Sequence, residues 1–251
     1  MQNKQLSEEE LKHFSIVRLT HIYLLSEKLE CFMSDQKIII TTKKNEILNN
    51  ELLTLPDLIS EAHKDGYTTI GEYLHLKEIE PDRFQKILEQ SGLKTAKLWV
   101  ELEDQLFQHL FPNLTWSSLF LISMSHLEYC LVLFCEYMAK QKKAILKLSD
   151  ISGHSTYEKF ILYNNKVIQN NYKFNKSILW SNIKNHQSVR NLLVHNNGLI
   201  DSTPKAITVK NIIESGNVNI NWNSNMVLEF SKKYLEDVIT DIQNWIIEYF
   251  N

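Results

Sequence analysis

The chain has 251 residues, of which 43% are hydrophobic and 23% charged, with only 6 glycines and 4 prolines. A chain of this length can bury a complete core, and its composition excludes disordered and collagen-like proteins and favours an ordered, mostly helical one. The three cysteines, Cys31, Cys130 and Cys135, are an odd number without paired spacing, which argues against a disulfide framework and favours reduced thiols in a cytoplasmic protein.

The N-terminal third is predicted to consist of helices. Residues 1–10 are polar and acidic, unlike a signal peptide. Ser7, with Glu10 three residues later, is typical of a capping box, and the helix that begins there is expected to run to Met33. Residues 38–42 fit either a strand or a connector. Prolines and glycines from Pro56 to Gly92 then predict several short helices.

Further helices are predicted over residues 93–110, 115–147, 155–170, 177–197 and 227–250, with Phe111-Pro112-Asn113 separating the first two. Residues 207–210 and 217–221 alternate around Ser215-Gly216 like a small hairpin. The predicted fold class is therefore all-α: a helical bundle over residues 96–251, with a small β-hairpin insertion and an N-terminal helical region, 1–95, of unassigned role.

One apolar stretch is a candidate for a membrane-spanning helix. Residues 119–138 are almost long enough to cross a bilayer, but His126, Glu128 and Glu136 lie within them. Because charged groups are costly at membrane depth, a buried core helix is predicted and no membrane partner is expected.

Charge is distributed unevenly. Residues 1–110 carry 13 lysines or arginines against 19 acidic residues, whereas residues 151–200 carry six against one. Aromatic residues alternate with these lysines, a mixture suited to RNA phosphates and stacked bases, and Lys173, Lys176 and Lys184 are the predicted RNA-binding residues. The alternative is a solvated helical face whose aromatic side chains turn into the core.

The basic half also contains the most informative motif. Arg190 and Asn191 are followed by three apolar residues, then His195, Asn196, Asn197 and Gly198. A guanidinium can hold a phosphate through two parallel hydrogen bonds, and an imidazole can exchange a proton near neutral pH. On a helix, Arg190 and His195 lie about 140° apart, so Arg190 must reach around to share a phosphate with His195. Gly198 is expected to end the helix.

This motif resembles the signature of the HEPN family. That signature is an arginine followed by a polar residue, then three or more further residues, then a histidine. Residues 125–129, Ser-His-Leu-Glu-Tyr, are similar to the core helix that carries an acidic residue in many HEPN proteins. The resemblance extends from about residue 96 to the C-terminus. It implies a helical bundle that acts as a homodimer, with two copies of the motif meeting in a cleft.

The resemblance also implies an activity. It would be metal-independent endoribonuclease cleavage of RNA in phage defence or a toxin–antitoxin system, giving 2′,3′-cyclic phosphate and 5′-hydroxyl ends. Arg190, Asn191 and His195 would be catalytic, Glu128 and Asn196 supporting, and an antitoxin or defence protein a further partner. Some HEPN toxins are silenced by nucleotide transfer to a tyrosine two residues after the histidine, and this chain has Asn197 there.

Two other interpretations remain open. The module could bind RNA, a nucleotide or a partner without cleaving it, or it could be an adaptor that acts through the acidic N-terminal helices. In the binding module, the motif would shape a dimer interface. For the motif itself, the alternative is that Arg190 is an ordinary surface cation and His195 an ordinary residue of a helix C-terminus. The histidines show no spacing suited to zinc and the chain has no glycine-rich phosphate loop, so neither a metal nor a cofactor is expected.

Overall fold

A computed structural model describes residues 7–49, 101–170, 172–216 and 218–251. The chain divides into two compact units, one formed by residues 1–30 and 112–251 and the other by residues 31–111. The division falls at residues 30/31 and 111/112. The expected boundary near residue 95 lies outside the described residues. The predicted short helices between Pro56 and Gly92 lie outside the described residues.

The described part is mostly helical, as predicted. Its α-helices are α1 (Glu8–Asn49), α2 (Phe111–Gln141), α3 (Thr156–Tyr163), α4 (Ile178–Asn196), α5 (Pro204–Glu214) and α6 (Lys232–Phe250). Two short strands, β1 (Asn221–Trp222) and β2 (Leu228–Glu229), pair antiparallel, with Asn221 opposite Glu229. Short π-helical segments precede α2 and follow α3, at Leu106–Leu110 and Asn164–Ile168.

The start of α1 confirms the predicted capping box. The Glu10 N–H donates to Ser7 Oγ at 3.1 Å, and the Ser7 N–H donates to the Glu10 carboxylate at 2.7 Å. The expected end at Met33 is wrong, because α1 continues through residues 38–42 to Asn49. The β-branched residues there cost only a few tenths of a kcal/mol each in a helix, and neither glycine nor proline interrupts the chain before Pro56.

Pro112 does not separate two helices, contrary to the prediction. A single helical stretch runs over Glu101–Gln141. Proline lacks an N–H and its ring crowds the carbonyl group four residues earlier. The π-helical segment Leu106–Leu110 lies immediately before α2, where a wider turn accommodates that crowding. The helix ends at Gln141, before the predicted residue 147, and Lys143 adopts a left-handed conformation with φ of 52°.

The predicted hairpin over residues 207–221 is also wrong. Residues 204–214 form α5, which begins with Pro204 in its first turn, and the Thr203 side chain accepts a hydrogen bond from the Ala206 N–H. Gly216 follows this helix with φ of 73°. A small hairpin is present, but it lies further along the chain, between β1 and β2.

The core of the first unit forms where α4 and α6 pack together. The predicted stripe of α6 is confirmed, since its apolar residues from Leu235 to Tyr249 are buried. Trp180 of α4 lies 4.9 Å from Trp245 of α6 between ring centroids, and 5.8 Å from Phe160 of α3. This aromatic cluster fixes α4, which carries the motif, against its neighbours.

The helical stretch Glu101–Gln141 is long and apolar enough to cross a membrane by length and composition, and it is the one such helix in the described ranges. In its most apolar window, 56% is buried. Leu119, Phe120, Met124, Leu127 and Leu131 are each at most 4% exposed. The helix is therefore buried in the way that the predicted core helix requires.

Candidate functional site

The ends of α4 are fixed by local hydrogen bonds. Ser177 caps its N-terminus by accepting from the Trp180 N–H at 3.1 Å. At the C-terminus, Asn197 is left-handed with φ of 51°, and its N–H donates to the Leu192 carbonyl group. Gly198 is left-handed as well, with φ of 73°. The helix therefore ends where the motif predicts, with His195 in its last turn.

Arg190 makes a hydrogen bond to a residue of its own helix and a long ion pair with a residue of α2. Its Nη1 atom donates to Asn191 Oδ1 at 3.2 Å, and its Nη2 atom lies 4.0 Å from Glu128 Oε2. The side chains of Arg190 and Glu128 are 24% and 29% exposed. The structure thus brings Arg190, Asn191 and Glu128 together, and the Arg190 side chain is partly exposed although its Nε atom is buried.

His195 lies on the exposed surface of the same helix and makes no hydrogen bond or ion pair with any described residue. It follows Asn191 by one helical turn, so the two share a stripe, whereas Arg190 starts about 140° away. The guanidinium donates to Asn191 Oδ1 and therefore lies beside a residue of that stripe. A reach from Arg190 to a phosphate shared with His195 stays a prediction.

Asn196 holds the turn that follows the helix. Its amide nitrogen donates to the Leu199 carbonyl group at 2.9 Å and to Asp201 Oδ2 at 3.0 Å. Asp201 also accepts from the Thr203 hydroxyl and N–H groups, and these bonds lower the pKa of its carboxyl group. Asn196 therefore fixes the loop behind His195 through bonds of its own side chain.

Two buried polar atoms beside this cluster lack partners among the described residues, the Tyr157 hydroxyl group and Arg190 Nε. Tyr157 is 2% exposed, and its pKa is raised first by burial and then by the negative charge of Glu128. A buried polar group without a partner costs about 1–3 kcal/mol. Sequence reasoning places Tyr157 among the aromatic residues but gives no sign of this unsatisfied hydroxyl.

The predicted RNA-binding lysines separate into two groups. Lys173 and Lys184 line one cavity of about 760 Å³, together with three asparagines, Tyr172 and Trp180. Lys176 is exposed and lies outside that lining. Most of the aromatic residues belong to the core, as the alternative interpretation expected: Tyr157, Phe160, Tyr163, Phe174 and Trp180 are each at most 6% exposed. RNA bases therefore cannot stack on these buried rings, and base stacking on them does not explain RNA binding.

A second histidine of α4, His186, is buried and doubly hydrogen-bonded. Its Nδ1 atom lies 3.1 Å from the Tyr234 hydroxyl and its Nε2 atom 3.1 Å from Asp241 Oδ2. Both partners belong to α6, so His186 ties the motif helix to the core. In the part of the chain that the structure describes, no group of three or more His, Cys, Asp or Glu side chains is placed to hold a metal ion.

The site is thus a polar cluster of Arg190, Asn191, Glu128 and the buried Tyr157 hydroxyl, with His195 exposed one turn beyond Asn191. Comparisons with protein-family models, with curated proteins and with solved structures found no match to this chain.

Proposed function

We propose that this protein is a metal-independent endoribonuclease of the HEPN type, acting in the cytoplasm in phage defence or as the toxin of a toxin–antitoxin pair. The observation that carries the proposal is the arrangement of Arg190. Its guanidinium donates to Asn191, which shares a stripe with His195, and pairs with Glu128 at 4.0 Å, and its side chain is partly exposed.

The proposed reaction uses the substrate's own ribose as the nucleophile. The 2′-oxygen attacks the adjacent phosphorus, the bond from phosphorus to the 5′-oxygen breaks, and the products are a 2′,3′-cyclic phosphate and a 5′-hydroxyl. His195 moves the proton that passes from the 2′-oxygen to the leaving 5′-oxygen, a role worth about 10²–10⁴ in rate. Arg190 stabilises the negative charge on the phosphate oxygens.

The surrounding groups act by positioning. Asn191 accepts a hydrogen bond from the guanidinium, and Glu128 forms an ion pair with it. Both contacts limit the rotamers of Arg190, so its side chain loses less conformational entropy when a phosphate binds. Asn196 holds the turn behind His195. These three side chains would therefore affect the rate through Arg190 and His195.

The test is cleavage of single-stranded RNA by Arg190→Ala and His195→Ala, with His154→Ala as the control, because His154 is exposed and lies outside the cluster. Both motif variants should lose activity and the control should retain it. Their stability should change little, since an ion pair this long and this exposed contributes about 0–1 kcal/mol. Wild-type rates in both motif variants would refute the proposal.

The proposed active form is a homodimer with α4 near its interface. Val194, next to the motif on α4, is 46% exposed, and Ile178 at the start of the helix is 78% exposed. Mixing Arg190→Ala with His195→Ala subunits tests whether a site is shared. Partial recovery of cleavage indicates a composite site, and a monomer that still cuts RNA would contradict the dimer.

A non-catalytic module that binds RNA is the second candidate, and the cavity lined by Lys173 and Lys184 favours it. It predicts RNA binding by the wild type without cleavage, and no dependence on His195.

A further inference from the structure

The cavity beside the N-terminal end of α4 has the size and lining of a small-ligand site. Its volume of about 760 Å³ lies within the range of about 300–1,000 Å³ usual for such sites. It is an open cleft bordered by α3 and the π-helical segment after it, by the segment that leads into α4, and by the first turns of α4. It lies away from the Arg190 cluster, whose residues are not part of its lining.

The lining offers positive charge and hydrogen bonds. Lys173 and Lys184 are exposed lysines with no ion pair to a described residue, and the lining contains no carboxylate. Asn165 and Asn175 expose side-chain amides that make no hydrogen bond to described residues. An amide both donates and accepts, which suits the edge of an unpaired base.

Three aromatic residues, Tyr172, Phe174 and Trp180, complete the lining together with Ile161. Trp180 is 1% exposed, and its indole Nε1 atom is buried without an acceptor among the described residues. Tyr172 donates its hydroxyl to Glu248 at 2.6 Å, and burial together with this carboxylate raises its pKa to about 12, so it stays neutral. Because the rings of Trp180 and Tyr172 are largely packed against the protein, they shape the wall of the cavity, and the lysines and asparagines supply its polar contacts.

The position of Lys184 connects this cavity to the motif. Lys184, Asn191 and His195 fall on one stripe of α4, because seven and eleven residues are close to two and three full turns. Eleven residues of helix span about 16 Å. A strand of RNA that follows this stripe would enter the cavity at one end and reach His195 at the other.

We infer that this cavity binds one unpaired nucleotide of the RNA substrate, with its phosphate on Lys173 or Lys184 and its base against the asparagine amides. The inference rests on the proposed function for the identity of the ligand, and it adds that the enzyme holds its substrate about 16 Å from the cleaved bond. Single-stranded RNA is therefore the preferred substrate class, because a base within a duplex cannot enter the cavity.

Binding is measured by fluorescence anisotropy of a short labelled single-stranded RNA in the His195→Ala background, in which no cleavage is expected. Lys173→Glu and Lys184→Glu should each weaken binding by about tenfold, the loss of one charge-assisted contact. Lys166→Glu is the matched control, since Lys166 is exposed and neighbours Asn165 but lies outside the lining. Equal affinities in all three charge variants would overturn the inference.

Competition then distinguishes a nucleotide site from a phosphate site. AMP should displace the labelled RNA at concentrations about tenfold lower than ribose 5-phosphate does, because only AMP carries a base for the amides. Equal competition would contradict a base pocket. The two proposals can fail separately. If the wild-type protein binds AMP at this cavity but never cleaves RNA, the proposed nuclease activity is wrong. If RNA is cleaved at the wild-type rate by both lysine variants, the proposed nucleotide site is wrong.

Discussion

The unpartnered hydroxyl group of Tyr157 allows a matched pair of substitutions. Tyr157 and Tyr163 both belong to α3 and both are at most 2% exposed. The Tyr163 hydroxyl donates to the Leu146 carbonyl group at 2.6 Å, whereas the Tyr157 hydroxyl has no partner among the described residues. Replacing each by phenylalanine removes one oxygen atom and leaves the ring in place, so the two variants differ mainly in the hydrogen bond that is lost.

Opposite effects on the free energy of unfolding are expected. Tyr157→Phe removes a desolvated hydroxyl that gains no bond in return, and should stabilise the fold by about 1 kcal/mol or more. Its ring contact with Trp180, 6.1 Å between centroids, is retained. Tyr163→Phe removes a bond that exists, and should destabilise the fold by about 0.5–1.5 kcal/mol. The difference between the two variants should therefore exceed about 1.5 kcal/mol.

Urea unfolding measures this difference, provided that both variants keep the wild-type dependence on denaturant. A Tyr157→Phe variant that loses 1 kcal/mol or more would show that the hydroxyl has a partner, and the reasoning would be wrong. RNA cleavage by the same variant carries further information. A more stable protein that cleaves more slowly would show that the hydroxyl serves the site at the expense of stability.

Two further predictions concern buried polar groups elsewhere. Burial raises the pKa of Cys130 to about 11 and that of Cys135 to about 12, whereas Cys31 is exposed, so Ellman's reagent at pH 8 should titrate only Cys31 in the native protein and all three thiols after denaturation. Rapid reaction of a second thiol in native protein would contradict this. His186→Leu should cost about 1–3 kcal/mol in urea unfolding, because it leaves the buried Tyr234 hydroxyl without its partner at 3.1 Å; an unchanged midpoint would show that the bond contributes nothing.

Periodicity and capping were enough to predict much of the fold. The stripe of α6 and the capping box at Ser7 follow from residue spacing alone, and both are present. Signals that depend on a single residue were less reliable. Pro112 was expected to end a helix, but the π-helical segment before it lets the helix continue, and Ser215-Gly216 was assigned to a hairpin although Gly216 follows α5.

The site could be predicted only in part, for a similar reason. The spacing of Arg190, Asn191 and His195 predicts that Arg190 must turn around the helix to share a phosphate with His195, and the structure adds the bond from Arg190 to Asn191. Charge composition could not tell which lysines share a cavity, because that depends on how the segment before α4 folds back. Nor could it show that the Tyr157 hydroxyl lacks a partner, since an absent hydrogen bond leaves no pattern in the sequence.

The most direct test of the proposed activity is analysis of RNA ends after cleavage in EDTA. Purified wild-type protein should cut single-stranded RNA with EDTA present and leave 5′-hydroxyl and 2′,3′-cyclic phosphate ends, because the ribose supplies the nucleophile and His195 moves the proton. The His195→Ala variant, purified in parallel, should produce no such ends. Cleavage that requires Mg²⁺, that leaves 5′-phosphate ends, or that also occurs on a 2′-deoxy substrate would contradict this mechanism.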